Sequence, residues 1–218
     1  MKEWMRSLMT GEIEKRSITG YLLCILIFLF SILLISQILF PGGYSARENF
    51  ISDHGSGELN PTGSWFFIIG IGMMGILLIP YLIFIFRRTW TVLRSVSLTA
   101  LIGGILGSAG LSMVGIFPKG SGLDHLHNIG ADLAWYCFLI SMISTSAVIF
   151  YGIVGKRGGF DPVKFLIVEI LVFISGISVF ILTIPTLKQW TAFLTVLLWL
   201  IGIYFVLPER VKSRNPEK

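Results

Sequence analysis

The three histidines of the chain lie in two short polar segments that also carry acids and amides. The first segment, 52–57, reads S-D-H-G-S-G, and the second, 124–128, reads D-H-L-H-N. Imidazole, carboxylate and carboxamide groups bind metal ions, transfer protons and hydrogen-bond polar head groups. The two segments therefore predict a polar site assembled from residues that are distant in the sequence.

Helical spacing sorts the residues of the second segment. If a helix begins near Leu123, Asp124, Asn128 and Asp132 share one face, with His125 at its edge. An unpaired acid is costly in the hydrocarbon of a membrane, so we expect Asp132 to face the interior of the bundle and to have a partner there. His125 and His127 project to nearly opposite sides of a helix, so only one of them faces the site unless this stretch is extended.

Several interpretations fit these residues. The first is an enzyme site, with zinc activating water for hydrolysis of a lipid head group or acyl bond. By role, its candidates are His54, His125 and Asp132 as catalytic groups, Asp53, Asn60 and Asn128 for substrate binding, and His54, Asp124, His125 and His127 as metal ligands. The second is a non-catalytic site that binds or transports a lipid, the third is a structural Asp-His-Asn network, and a minor alternative is haem held by two facing histidines.

The composition indicates that these segments belong to a membrane protein. Hydrophobic residues make up 54% of the chain and charged residues only 13%, with a mean hydropathy of +0.82; a soluble domain has about 25% charged residues. The net charge of +5 comes from short basic clusters at the ends of apolar runs. This pattern is typical of topology signals and contacts with lipid head groups, which makes membrane lipids the expected partners and argues against nucleic acid.

Six apolar stretches are long enough to cross a bilayer, which takes about 20 helical residues. We place them at 18–40, 65–86, 93–117, 127–154, 163–184 and 190–207. The predicted fold is an all-α bundle of six transmembrane helices over 18–208, with a basic tail at 209–218. Apolar residues at helical spacing within 1–17 suit a short helix in the membrane interface, although a frayed segment is the alternative.

The distribution of lysine and arginine predicts the orientation of the bundle. Fourteen of the seventeen basic residues fall before span one, between spans two and three, between spans four and five, and in the tail. The remaining three are Arg47, Lys119 and Lys188. Because positive charge is retained in the cytoplasm, both termini are expected there and all three histidines on the extracytoplasmic side.

Small residues in span three predict its place in the bundle. Two four-residue registers carry small residues: Gly103, Gly107 and Gly115 form one, and Gly104, Ser108 and Ser112 form the next. In lipid, small residues at this spacing let two helix backbones approach closely. We therefore expect span three to lie in the middle.

The order of several short motifs resembles a known family. These motifs are F-I-S-D-H-G-S at 50–56, N-P at 60–61, V-G-I-F-P at 114–118 and H-L-H-N-I-G-A at 125–131. They resemble the family called domain of unknown function 998 and, more distantly, the Frag1/DRAM/Sfk1 group of six-span membrane proteins. The closer resemblance implies no activity, whereas the distant one implies lipid handling. Seven residues match the family motifs, and the resemblance assigns no chemistry to them: Asp53, Asn60, Pro61, Phe117, Pro118, His127 and Asn128.

Overall fold

The computed structural model describes residues 2–209, and every regular element within that range is a helix. The helices are α1 (Lys2–Thr10), α2 (Lys15–Ile38), α3 (Ser64–Thr89), α4 (Arg94–Ile116), α5 (Asp124–Val154), α6 (Pro162–Ile181) and α7 (Pro185–Val206), with a short 3₁₀ helix at Ile51–Gly55 between α2 and α3. The predicted basic tail lies outside the described residues except for Glu209.

The prediction of six membrane spans is confirmed, since α2 to α7 are each long and apolar enough to cross a membrane. The largest difference from the predicted bounds is the start of α7, which lies at Pro185 and not at 190. Proline is well suited to the first turn of a helix because the amide hydrogen that it lacks has no partner there. The polar residues Lys188 and Gln189 therefore belong to the helix and not to the preceding connection.

Helix α4 lies between α3 and α5, as its small residues predicted. A side-chain carbon added to Gly103 would lie 2.9 Å from the Cys137 carbonyl oxygen, and one added to Gly110 would lie 2.5 Å from the Ala134 nitrogen. Real Cβ atoms do not approach backbone this closely, so glycine is required at both positions. The close approach also lets Ser141 donate to the Ala100 carbonyl across the α4–α5 interface at 2.7 Å.

Helix α1 packs against the end of the bundle where the chain begins. Leu8 is completely buried, and the ring of Trp4 lies 5.6 Å from that of Tyr21 in α2. Arg88, at the end of α3, donates to the Ile13 carbonyl in the connection after α1 at 2.6 Å. The predicted N-terminal helix is thus present and docked; its position in a membrane interface stays a prediction, as does the orientation of the bundle.

The opposite end of the bundle holds the long connection between α2 and α3, residues 39–63, which we call the first outer loop. The same end carries the connection between α4 and α5, residues 117–123, which we call the second outer loop. Gly120 and Gly122 in that connection have positive φ angles of 78° and 81°, which glycine adopts without strain. Contacts join both outer loops and the start of α7 at this end of the bundle, which we call the outer end.

Candidate functional site

The first outer loop owes its shape to the 3₁₀ helix that contains two predicted site residues. The Asp53 carboxylate accepts a hydrogen bond from the Phe50 amide at 2.8 Å, which satisfies a donor at the start of this short helix. At its other end, a Cβ on Gly55 would lie 2.7 Å from the Phe67 ring of α3. Glycine thus lets the loop lie directly against α3.

Asn60 joins the first outer loop to α2 from a fully buried position. Its amide nitrogen contacts the Ser36 carbonyl at 3.1 Å, the Ser36 hydroxyl at 3.0 Å and the His54 carbonyl at 3.1 Å. Its amide oxygen accepts from the Gly63 nitrogen at 3.1 Å. The amide nitrogen and the amide oxygen are both engaged within the protein, which gives Asn60 a structural role in the loop. The substrate contact predicted from the sequence stays a prediction.

His54 lies among aromatic rings with no exposed surface. Its ring is nearly parallel to that of Tyr44, with centroids 4.1 Å apart, and lies 6.0 Å from the rings of Phe40 and Phe67. Neither ring nitrogen has a hydrogen-bond partner among the described residues. Burial lowers the pKa of His54 from 6.5 to about 4, although the Asp53 carboxylate opposes the shift. His54 is therefore uncharged at neutral pH.

The first outer loop is also tied to the second outer loop and to α7. Lys119 in the second outer loop forms an ion pair with Asp53 at 2.7 Å. From α7, Trp190 donates its indole hydrogen to the Tyr44 hydroxyl at 2.7 Å, and Thr186 donates to the Arg47 carbonyl at 2.7 Å. These contacts hold the loop across the outer end of the bundle.

Beneath this loop the bundle contains a partly open cavity of about 180 Å³. Side chains from α2, α3, α4, α5 and α7 form its walls, and Ile51 and Ser52 of the 3₁₀ helix line it at the outer end. On the inner side, the fully buried Tyr81 joins α3 to α7 by donating to the carbonyl of Leu200, a lining residue, at 2.6 Å. No Lys, Arg, Asp or Glu is among the lining residues, so the cavity is an apolar space with a few uncharged polar groups.

His127 is the histidine that lines this cavity. It is buried, and its Nδ1 lies 2.9 Å from the Phe117 carbonyl oxygen. Because a carbonyl only accepts, Nδ1 must carry a hydrogen. In the tautomer with this single ring hydrogen, Nε2 is an acceptor. Within residues 2–209 this acceptor has no hydrogen-bond partner, so the geometry leaves it available to a ligand.

Gln189 supplies complementary donors to the same cavity. Its amide oxygen faces the Ser52 backbone nitrogen at 3.4 Å, a long hydrogen bond, and its NH₂ group has no partner among the described residues. The Ser52 hydroxyl and the Trp135 indole are further polar groups of lining residues. The cavity thus combines one free acceptor with several donors.

The predicted polar stripe of α5 faces away from the bundle. Asp124, Asn128 and Asp132 do share one face, but all three are exposed, as is His125. The expectation that Asp132 points inward and is paired is wrong, because the helix turns the opposite face, with His127 and Ala131, toward the cavity. The 31 residues of α5 span about 46 Å, more than the roughly 30 Å of a hydrocarbon core, so its first turns can extend beyond it.

The predicted metal ligands do not come together. Within the described part of the chain there is no group of three or more His, Cys, Asp or Glu side chains that could hold a metal ion. His54 contacts aromatic rings, His127 lines the cavity, and Asp124 accepts from the Gly120 nitrogen of the second outer loop at 2.7 Å. The predicted ligands are therefore not arranged as a zinc site among the described residues, and the catalytic roles predicted for His54, His125 and Asp132 stay predictions.

Tyr44, Gln189 and Trp190 also belong to this region, and the sequence does not predict it. The predicted sixth span begins at 190, so Gln189 falls in the preceding connection, whereas α7 begins at Pro185. Tyr44 and Trp190 are 146 residues apart, and their contact exists only in the folded chain.

The comparisons with known proteins give one match. The sequence profile of the family described as Protein of unknown function (DUF998) matches residues 22–206. No curated protein and no solved structure matches the chain. The more distant likeness to the Frag1/DRAM/Sfk1 group stays a prediction. Since the match covers all six membrane spans except for the first turns of α2, this integral membrane protein belongs to the DUF998 family.

Proposed function

We propose that this protein binds a membrane lipid or lipid-linked molecule without catalysing a reaction, with part of the hydrocarbon chain in the cavity beneath the first outer loop. The observation that carries the proposal is the cavity itself: its walls are apolar, and its few polar groups carry no permanent charge. An apolar cavity of about 150 Å³ is large enough to bind benzene. A cavity of about 180 Å³ therefore accommodates several carbons of a chain.

The packing of the helices supplies a route from the bilayer. Helix α5 makes few contacts with α6 and α7, whereas it packs extensively against α4. The lining residues Trp135 of α5 and Phe193 of α7 are only half-buried. A chain longer than the cavity can thus leave between α5 and α7 and continue into the surrounding lipid.

The positions of the predicted catalytic residues favour binding over hydrolysis. His54 is enclosed by aromatic rings, whereas His125 and Asp132 are exposed on α5. No two of these three groups share a hydrogen bond within the described residues. Lipid binding needs only an apolar space and a few oriented polar groups, and the cavity supplies both.

Native mass spectrometry of protein released gently from the membrane tests the proposal. We expect about one lipid molecule per chain in the wild type and a large loss in Ala192→Phe and Ala131→Phe, which place a ring in the cavity. The matched control is Ala109→Phe, at an exposed position of α4, which should retain the lipid. If both cavity variants fold with the thermal stability of the control and keep a full complement of lipid, the chain does not occupy the cavity.

A further inference from the structure

We infer that the ligand of this cavity is an uncharged lipid with a hydroxyl group at its polar end, held by His127 and Gln189. The inference rests on the proposed lipid binding and adds the chemistry of the bound end. It follows from the hydrogen-bond donors and acceptors of the lining residues that have no partner within the described part of the protein.

His127 requires a donor from the ligand. The Phe117 carbonyl fixes the hydrogen on Nδ1, and the lone pair of Nε2 is then the group left to the cavity. A hydroxyl donates to this lone pair, whereas an ether, an ester or a carboxylate has no hydrogen to donate.

Gln189 requires an acceptor from the ligand. Its oxygen faces the Ser52 amide, so its NH₂ hydrogens are the groups left for a ligand. A hydroxyl oxygen accepts from this NH₂ while its own hydrogen points to His127. An alcohol group thus carries both the donor that suits His127 on α5 and the acceptor that suits Gln189 on α7.

The lining residues select against charged head groups. No Lys or Arg lines the cavity to balance a phosphate or a carboxylate, and no Asp or Glu lines it to balance an ammonium group. Moving an unpaired charge into an apolar space is strongly unfavourable. Lys119, the basic residue of the second outer loop, is already paired with Asp53. A charged head group would have to remain outside, where it cannot reach His127.

The experiment compares ligands that share one chain and differ at the polar end: 1-tetradecanol, its methyl ether and tetradecanoate. Binding to delipidated wild-type protein in detergent is measured by native mass spectrometry, with geranylgeraniol and its methyl ether as a branched-chain pair. We expect each alcohol to bind about tenfold more tightly than its ether, the effect of roughly one hydrogen bond. The chain type with the higher affinity then distinguishes straight-chain from isoprenoid ligands.

Two variants test which side chain makes each contact with the ligand hydroxyl. In His127→Asn the amide can still donate to the Phe117 carbonyl but the Nε2 acceptor is gone, so the preference for alcohol over ether should vanish. Gln189→Leu, on a separate helix, should weaken both ligands, because alcohol and ether both accept. If alcohol and ether bind the wild type equally, or tetradecanoate binds best, the hydroxyl assignment is overturned and lipid binding stands. If none of the ligands binds, the proposed function fails as well.

Discussion

Two buried histidines near the outer end of the bundle, His54 and His127, have very different surroundings. His54 contacts three aromatic rings, and neither of its nitrogens has a partner among the described residues. His127 has one nitrogen fixed by a backbone carbonyl and lines the cavity. Burial alone therefore does not mark a histidine as a functional group. We propose a binding role for His127 and not for His54, because its Nδ1 is held by a backbone carbonyl and its ring lies beside the cavity.

The same contrast separates the first outer loop from the cavity beneath it. In the loop, Asn60 and Asp53 direct their polar atoms to other parts of the protein. In the cavity, His127 and Gln189 each use one polar atom for a contact within the protein, and the other polar atom has no partner among the described residues. The loop is thus expected to control stability, and the cavity is expected to control binding.

The largest expected effect on stability concerns Asn60. Asn60→Ala removes a buried amide that contacts Ser36, His54 and Gly63, and leaves their polar groups without a replacement. We expect the free energy of unfolding, measured by denaturant titration in micelles, to fall by about 3 kcal/mol. The control Asn128→Ala, at an exposed site, should change it by less than about 0.5 kcal/mol. If both variants lower the free energy of unfolding equally, the hydrogen bonds of Asn60 do not stabilise the first outer loop.

The next effect is a pH dependence that belongs to His54. Its pKa is about 4 in the folded protein and 6.5 in its ordinary state, so the unfolded chain takes up the proton first. Stability is therefore complete above pH 6.5 and falls as the pH drops toward 4, by on the order of 2 kcal/mol. The Asp53 carboxylate and the Ser36 backbone oppose this shift of the His54 pKa but do not reverse it.

The variant His54→Phe tests this directly. Phenylalanine keeps an aromatic ring against Tyr44, Phe40 and Phe67 and removes two unpaired nitrogens, so stability at pH 7 should not fall. Thermal unfolding between pH 7 and pH 4.5 should lose the part of its pH dependence that His54 supplies, whereas the exposed His125→Phe should behave as the wild type. A variant that unfolds at pH 7 would show instead that the His54 nitrogens have a structural partner.

A smaller effect is expected for the ion pair between Asp53 and Lys119. The carboxylate is almost completely buried, but the lysine side chain is 40% exposed, so solvent screens the pair. A double-mutant cycle with Asp53→Asn and Lys119→Met should give a coupling energy of about 1 kcal/mol that decreases with salt. The more exposed pair between Asp161 and Lys164, 3.2 Å apart, should couple more weakly. The reverse order would show that the first outer loop is not held by this contact.

The smallest effects are expected on the outward face of α5. Asp132→Asn and His125→Ala alter exposed side chains that have no hydrogen bond or ion pair within residues 2–209. Neither should change the free energy of unfolding by more than about 0.5 kcal/mol or alter the amount of bound lipid. Loss of lipid in either variant, measured by native mass spectrometry, would move the binding site from the cavity to this face.

The amino-acid sequence determined the parts of the protein that depend on local composition. Six apolar runs predict six spans because each is long enough to cross a bilayer as a helix, and a helix pairs its own backbone groups. Gly103 and Gly107 predict a central α4 because small residues permit close helix packing. The order of the short motifs also identified the family.

Only the tertiary structure decided which polar residues serve the fold and which face the cavity. Helical spacing placed Asp124, Asn128 and Asp132 on one face but carried no information about what that face meets. The roles of Asn60 and Gln189 depend on contacts with residues 24 and 137 positions away, at Ser36 and Ser52. Helix packing decides which partners a polar residue meets. Which of its hydrogen-bonding atoms stay unpaired can therefore be determined only from the folded structure.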